Sequence, residues 1–315
     1  MVLFALTLLG AAVGLMASFY VWRWFQPIEA SEFKAKLELR WSGVKTVEYG
    51  GLKGYLRNHC IENPTADAQQ CVCVAWIHGL GDQALTWKRV LQENPPTWNE
   101  KRLKLVALNL PGSGDSPAPA QLPEGYRVRK QAEALAKALD QVPGCPRWML
   151  VGNSLGGWVA TWVALDWTNR VNKLLLVGPG GLKYEGLHAS DLLKTPTIET
   201  LKEFQAKAYY QAKPLPDHVW KAALERMKKG NSAQVLAAQT PADYLDTYLP
   251  SIRIPTLVFR GGADQIAPRE VVQEMARLIP GALYREAPAC GHLPQKECVG
   301  ALVRVVNELV LFGAI

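Results

Sequence analysis

Charge is absent from the first 22 residues of this 315-residue chain: Met1 to Trp22 contain no Asp, Glu, Lys or Arg. Blocks of like charge are absent everywhere else. The 35 basic and 28 acidic residues leave a net charge of +7. Lys88, Arg89, Lys101, Arg102, Lys104, Arg127, Arg129 and Lys130 are scattered, as on a mixed solvated surface. No nucleic-acid-binding motif accompanies them, so no nucleic-acid partner is expected. Mild attraction to an anionic membrane surface is the sharper reading of the excess. Cysteine is sparse at six, too few for a disulfide scaffold. No C-x-x-C and no Cys/His group at zinc spacing occurs, so no metal site is expected, and nothing points to an organic cofactor. Free thiols are the expectation, although Cys290 and Cys298 could bridge in an oxidising compartment. Internal repeats and low-complexity stretches are missing too. With 49% hydrophobic residues, a disordered or collagen-like chain is excluded and a sizeable core is expected.

The charge-free run is rich in Leu, Val and Phe. As a helix its 22 residues rise about 33 Å, roughly the hydrocarbon thickness of a bilayer. Tyr20, Trp22 and Trp24 with Arg23 close it like an aromatic belt, and Pro27 ends the helix. A cleaved signal peptide is the competing reading, but there is no basic n-region and no A-x-A site. Residues 1–26 are therefore read as a transmembrane anchor. Lys and Arg lie only on its carboxyl side, and the positive-inside rule then favours a cytoplasmic catalytic domain. Residues 27–43 read as an amphipathic linker, with Phe33, Leu37 and Trp41 at four-residue spacing.

From residue 44 to 315 apolar strands alternate with helices. Val44–Tyr49 and Leu52–His59 form a hairpin around Gly50-Gly51. Cys71–Ile77, Leu103–Leu110, Trp148–Val151, Val171–Val177, Thr256–Arg260 and Ala282–Glu286 read as strands. Pro123–Gln141, Leu155–Trp167, Pro268–Leu278 and Pro294–Phe312 read as helices. This alternation implies a mostly parallel sheet covered on both faces, an α/β fold. Residues 183–250 interrupt it with helical patterns (Ile198–Tyr210, His218–Lys229). They are read as a lid insertion over the strand ends, where ligands bind in such sheets. Leu192, Leu193, Phe204, Tyr209, Tyr210 and Trp220 are its apolar residues.

The chemistry centres on Gly152-Asn153-Ser154-Leu155-Gly156, a G-x-S-x-G run between a strand and a helix. Gly152 and Gly156 permit a sharp turn that lifts the Ser154 hydroxyl to the top of the sheet. A serine nucleophile needs a base. Of five histidines, only His292 follows the last strand, where the chain order Ser…Asp…His requires it. The orienting acid should lie between them at a strand end. Asp264 fits, with Asp243, Asp246 and Glu270 as runners-up. Two N–H donors must hold the oxyanion: Leu155 in the elbow and Leu80 in the strand-end loop His78-Gly79-Leu80-Gly81. His78 is expected to brace that loop rather than transfer protons.

Taken in order, His78-Gly79-Leu80-Gly81, Asn109-Leu110-Pro111-Gly112-Ser113-Gly114-Asp115-Ser116, Gly152-Asn153-Ser154-Leu155-Gly156-Gly157, Gly261-Gly262-Ala263-Asp264 and Gly291-His292 resemble the α/β-hydrolase superfamily. Asn109 stands where the family often has aspartate. In layout the chain resembles the superfamily's membrane-anchored monoacylglycerol lipases. Gly-Asn-Ser-x-Gly-Gly also occurs in its carbon–carbon bond hydrolases. The resemblance implies a serine hydrolase of lipid-like carboxylic esters, acting through an acyl-enzyme on Ser154. A tethered short-chain carboxylesterase or carbon–carbon hydrolase is the alternative. A catalytically idle membrane scaffold is a third reading, against which the complete Ser154, Asp264, His292 set argues. The oligomeric state is not legible.

Overall fold

The computed structural model describes residues 18–60, 71–93, 102–184 and 189–311. Eight strands form one sheet in the order β1-β2-β4-β3-β5-β6-β7-β8. They are β1 (Lys45–Tyr49), β2 (Leu52–Asn58), β3 (Val72–Ile77), β4 (Leu103–Leu108), β5 (Trp148–Asn153), β6 (Val171–Val177), β7 (Thr256–Gly261) and β8 (Leu283–Ala287). β1 and β2 pair antiparallel, as do β2 and β4; every other pairing is parallel. The predicted hairpin closes at Gly50 and Gly51, both at positive φ (55° and 80°), as a two-residue primed turn requires.

The helices are α1 (Pro27–Trp41), α2 (Lys88–Gln92), α3 (Val128–Asp140), α4 (Leu155–Asp166), α5 (Ile198–Ala208), α6 (Asp217–Lys229), α7 (Ser232–Ala238), α8 (Arg269–Leu278), α9 (Pro294–Glu297) and α10 (Val299–Leu311). All six residues of β4 and of β5 are buried. Alternate side chains of the strands feed two cores. Ala75, Ile77 and Leu150 pack with Leu135 of α3, Val159 of α4 and Val272 of α8. Val74, Trp76 and Met149 pack with Val90 of α2, Leu302 and Val306 of α10 and Leu39 of α1. Such two-sided burial explains why these strands are predominantly apolar, with Lys104 of β4 as the exception. β3 has β4 on one flank and β5 on the other. A crevice therefore opens at their carboxyl ends, the usual ligand position in an open parallel sheet.

Four expectations need correction. The closing helix is not continuous: it breaks at Cys298 (φ −130°, ψ 50°) into α9 and α10. The cysteines are not free thiols. All six are paired, as Cys60–Cys71, Cys73–Cys145 and Cys290–Cys298. The first two bridges are matters of register: Cys73 in β3 stands opposite Trp148 of β5, which brings the chain just before β5 within reach. The Phe33/Leu37/Trp41 stripe of α1 is not the docked face. α1 buries Ala30 and Leu39 and leaves Phe33 and Trp41 53% and 77% exposed. Polar pairs seat it instead: Glu32 with Arg226 at 2.6 Å, Lys36 with Asp115 at 2.7 Å, and Glu38 with Lys88. Finally, the helix predicted from Pro123 starts only at Val128, after a single turn at Glu124–Tyr126.

Most of the predicted anchor, residues 1–17, lies outside the described residues. Residues 18–25 are helical, and Tyr20, Val21, Trp24 and Phe25 on them are exposed. The chain breaks at Gln26, and Pro27 opens α1 at its first position, where its missing N–H costs nothing. Among the described residues, no helix is long and apolar enough to cross a membrane. Between β6 and β7 the chain forms α5, α6 and α7 with short turns and no strand among the described residues. Leu193, Leu201 and Trp220 are the buried centre of that insertion, with Phe204 against them.

Candidate active site

The elbow is built by close approach. Ser154 sits at φ 56°, ψ −119° between β5 and α4, a conformation that costs a non-glycine residue of order 1–3 kcal/mol. Its N–H donates to the Val177 carbonyl at 3.0 Å, and its own carbonyl accepts from Gly157, Trp158 and Gly180. The flanking glycines are obligatory. A Cβ on Gly156 would lie 2.2 Å from the Ile77 carbonyl oxygen, and one on Gly152 2.2 Å from the Gly156 carbonyl oxygen.

Asp264 follows β7 and is buried. One carboxylate oxygen, Oδ1, accepts from the N–H groups of Ile266 (2.8 Å) and Ala267 (3.0 Å). The other, Oδ2, lies 2.8 Å from His292 Nδ1. A carboxylate accepting on both oxygens makes Nδ1 the donor, so the Nε2 lone pair is the one left to act as a base. His292 is buried, and it lines with Ser154 the same cavity of about 220 Å³.

Leu80, Leu155, Trp158, Leu182, Tyr244 and Val271 form most of that cavity's apolar wall; Asp191 and Lys194 also line it and pair with each other at 2.9 Å. Of the predicted lid residues, Leu192, Leu193, Phe204, Tyr209, Tyr210 and Trp220 do not line it; the insertion contributes Tyr184, Leu236, Gln239 and Tyr244 instead. Among the described residues, no hydrogen bond takes up the Leu80 or Leu155 N–H. Gly79 brings the Leu80 loop against the elbow: a Cβ there would be 3.2 Å from Ser154 Cβ.

His78 lies outside the cavity lining. Its Nε2 accepts from the Leu110 N–H at 3.0 Å and its Nδ1 faces the Gly79 carbonyl at 2.8 Å. One ring nitrogen accepts and the other donates, which is the neutral imidazole. Burial pushes its pKa below the usual histidine value, against a smaller raising effect of the Gly79 carbonyl. The runners-up to Asp264 lie elsewhere. Asp243 is a buried rivet: Arg127 binds both its oxygens at 3.1 Å, and its carbonyl accepts from the indoles of Trp158 and Trp162 at 2.7 Å. Asp246 accepts from the Lys183 N–H, and Glu270 is in the first turn of α8.

Several bracing residues escaped the sequence reading. Asn153 Nδ2 donates to the carbonyls of both Val177 and His292 at 3.0 Å, and its Oδ1 accepts from Gln295. It thereby ties the elbow to the histidine loop. Buried Arg260 donates to the carbonyls of Asp264, Ala267 and Gly262. Glu297 accepts from the Gly291 N–H (2.9 Å) and the Tyr210 N–H (3.1 Å), joining the histidine loop to the chain after α5. Gly178, at φ +48°, allows the end of β6 to approach the pair: a Cβ there would be 2.9 Å from Asp264 Oδ2 and 3.1 Å from His292 Nδ1. Asn153 lies inside the elbow motif and Gly178 inside a Gly-Pro-Gly-Gly run, so adjacency was their only signal.

The sequence profile of the Alpha/beta hydrolase family matches residues 74–305. A 2-hydroxy-6-oxononadienedioate/2-hydroxy-6-oxononatrienedioate hydrolase of Cupriavidus pinatubonensis is 30% identical over 271 residues, covering 81% of this chain and 90% of the relative. The Klebsiella pneumoniae hydrolase of the same name is 29% identical over 89% of this chain and 97% of its own length. Among solved structures, a bacterial membrane phospholipase A superposes with a TM-score of 0.72 at 24% identity, over 98% of each chain. The sheet order, the strand-end loops and the profile agree: the chain belongs to the alpha/beta hydrolase family and is a hydrolase of that fold.

Proposed function

We propose that the chain is a serine hydrolase of carboxylic esters with apolar acyl groups, working against a membrane. His292 Nε2 takes the proton of Ser154 Oγ as Oγ attacks the ester carbonyl. Asp264 holds the ring and stabilises the imidazolium. The Leu80 and Leu155 N–H groups hold the tetrahedral oxyanion. His292 then protonates the leaving alcohol, and it later deprotonates the water that hydrolyses the acyl-enzyme. His78 holds the Leu80 loop in place through its two backbone contacts.

The observation carrying the ester reading is the cavity wall. It is mostly apolar, and Lys194, its one lysine or arginine among the described residues, is spent on Asp191. The curated relatives' names favour the alternative reading, a carbon–carbon hydrolase. A dienedioate brings two carboxylates, and such a substrate would call for cations beyond that internally paired lysine. The insertion acts as the lid, covering the carboxyl ends of the strands. Purified full-length enzyme on p-nitrophenyl esters of increasing chain length, a monoacylglycerol and a ring-fission dienoate separates the readings. Turnover of medium-chain esters abolished in Ser154→Ala is expected. Turnover of the dienoate alone would replace the ester reading.

The apolar residues 1–26 serve as the membrane anchor. The exposed Tyr20, Trp24 and Phe25 support this, as aromatic rings sit at the headgroup level. The catalytic domain faces an oxidising compartment, contrary to the cytoplasmic expectation. Three disulfides with no cysteine left over support that side, and the charge bias around a single span is a weaker guide for a whole folded domain. Thiol labelling of unfolded protein from intact cells tests it: no reactive thiol is expected without a reductant, and six free thiols would reverse the placement.

A further inference from the structure

Two adjoining hollows lie between the N-terminal helical segment and α6. Their volumes are about 840 and 670 Å³, against about 220 Å³ for the catalytic cavity. They share Trp24, Ile28 and His218 as lining and so form one crevice. One wall is aromatic, with Tyr20, Trp24 and Phe25 from the segment 18–25; Leu215 and Val219 come from the opposite side. The Trp24 ring is stacked on the His218 imidazole, with centroids 4.3 Å apart, which joins the two walls where the hollows meet.

The charges around it are unbalanced. Arg226 is committed to Glu32, Lys34 to Glu38, Glu225 to Lys228 and Asp82 to Lys296. Arg23, Lys221 and Lys229 have no ion-pair partner among the described residues, and Glu29 is the only uncommitted carboxylate lining the crevice. An apolar trough with an excess of cations is complementary to an amphiphile with an anionic head. The chain's charge-free run, Met1 to Trp22, ends at this trough, which puts a bilayer beside it. The crevice also abuts the chemistry: Gly81 lines it, while the preceding residue Leu80 lines the catalytic cavity.

We infer that this crevice is a second, non-catalytic lipid site. It takes a phosphate-bearing anionic lipid of the bilayer, with acyl carbons on Trp24 and Phe25 and the headgroup at Lys221 and Lys229. The inference rests on the membrane setting proposed above but not on the ester chemistry. Bound there, a lipid would hold the catalytic mouth at a fixed attitude to the membrane surface.

The test uses full-length protein reconstituted in phosphatidylcholine vesicles doped with a minor fraction of brominated phosphatidylglycerol or, in parallel, brominated phosphatidylcholine. Tryptophan emission is the readout. Stronger quenching by the anionic lipid is expected, lost in Trp24→Phe and lost in the Lys221→Glu/Lys229→Glu double variant. Both variants should keep wild-type kcat/KM on p-nitrophenyl butyrate, which also shows that they fold. Equal quenching by the two lipids, or excess quenching that survives both variants, overturns the site. So does a Trp24 emission shift that follows protein concentration and ignores lipid, which assigns the crevice to a second copy of the chain. The binding readout needs no turnover, so Ser154→Ala should behave as wild type; a wild-type protein that shows the excess but hydrolyses no ester would count against the ester reading alone.

Discussion

The histidine loop and the N-terminal face handle exposed chemistry in opposite ways. Around His292 the backbone and the Nδ1 side of the ring are held: Asp264 on the ring, Asn153 on its carbonyl, Ala208 on its N–H, Glu297 on Gly291, and a disulfide joining Cys290 to Cys298. Around Trp24 the rings are exposed and three cations stand uncommitted. The first region is preorganised, so its geometry exists before any ligand arrives. The second has no such partners among the described residues, and the lipid inferred above would supply them. The contrast predicts that substitutions in the first region damage turnover on every substrate, whereas those in the second show only when a lipid surface is present.

The most damaging break of that contrast is Ser154→Ala, expected to lower kcat by about 10⁴–10⁶-fold and to abolish labelling by a fluorophosphonate probe. Asp264→Asn should lower kcat by about 10⁴-fold on both soluble and vesicle-borne esters. A loss confined to vesicles would move Asp264 out of the preorganised region. Cys73→Ser/Cys145→Ser opens a loop of 72 residues and should cost about 4 kcal/mol of stability, against about 2–3 kcal/mol for Cys290→Ser/Cys298→Ser. Denaturant unfolding measures both, and the second pair should also reduce kcat because its ring contains His292.

Gly178→Ala pushes a methyl group against the Asp264–His292 pair at a backbone angle that favours glycine, so it should cost about 1–3 kcal/mol and lower kcat more than it raises KM. The smallest effect is a pH effect. The His78 pKa is depressed by burial, so the unfolded chain binds its proton more readily. Stability from this residue is complete above the unfolded histidine range, about pH 6.5, and declines as pH falls below it. His78→Gln should flatten the Tm-versus-pH curve between neutral and mildly acid pH. An unchanged slope would rule out His78 as its source.

The proposed reactive positions are legible because each is a local signature. Gly152 and Gly156 announce the elbow, Gly262 and Asp264 a strand-end turn, and His292 stands alone after the last strand. The sheet was legible because β3, β4 and β5 are buried on both faces and are mostly apolar, with Lys104 the one charge among them. What braces the site was not. Arg260, Asn153 and Glu297 act through backbone carbonyls and N–H groups brought together by strand order, and pairing across space leaves no periodicity. The disulfides escaped for the same reason: Cys73 and Cys145 meet because β3 neighbours β5. The docked face of α1 escaped because it is seated by Glu32, Lys36 and Glu38, and polar seating inverts an argument based on hydrophobic spacing.

The ring closed by Cys290 and Cys298 bears on when the enzyme becomes competent. Its eight-residue span holds the proposed base, and α10 begins immediately after its second cysteine. A newly made chain on the reducing side carries that loop without its covalent tie. If the catalytic domain matures on the oxidising side, the base is fastened only after the domain has left the compartment where the cell's own cytoplasmic esters reside. Crossing the membrane would then also be the step that fastens the base.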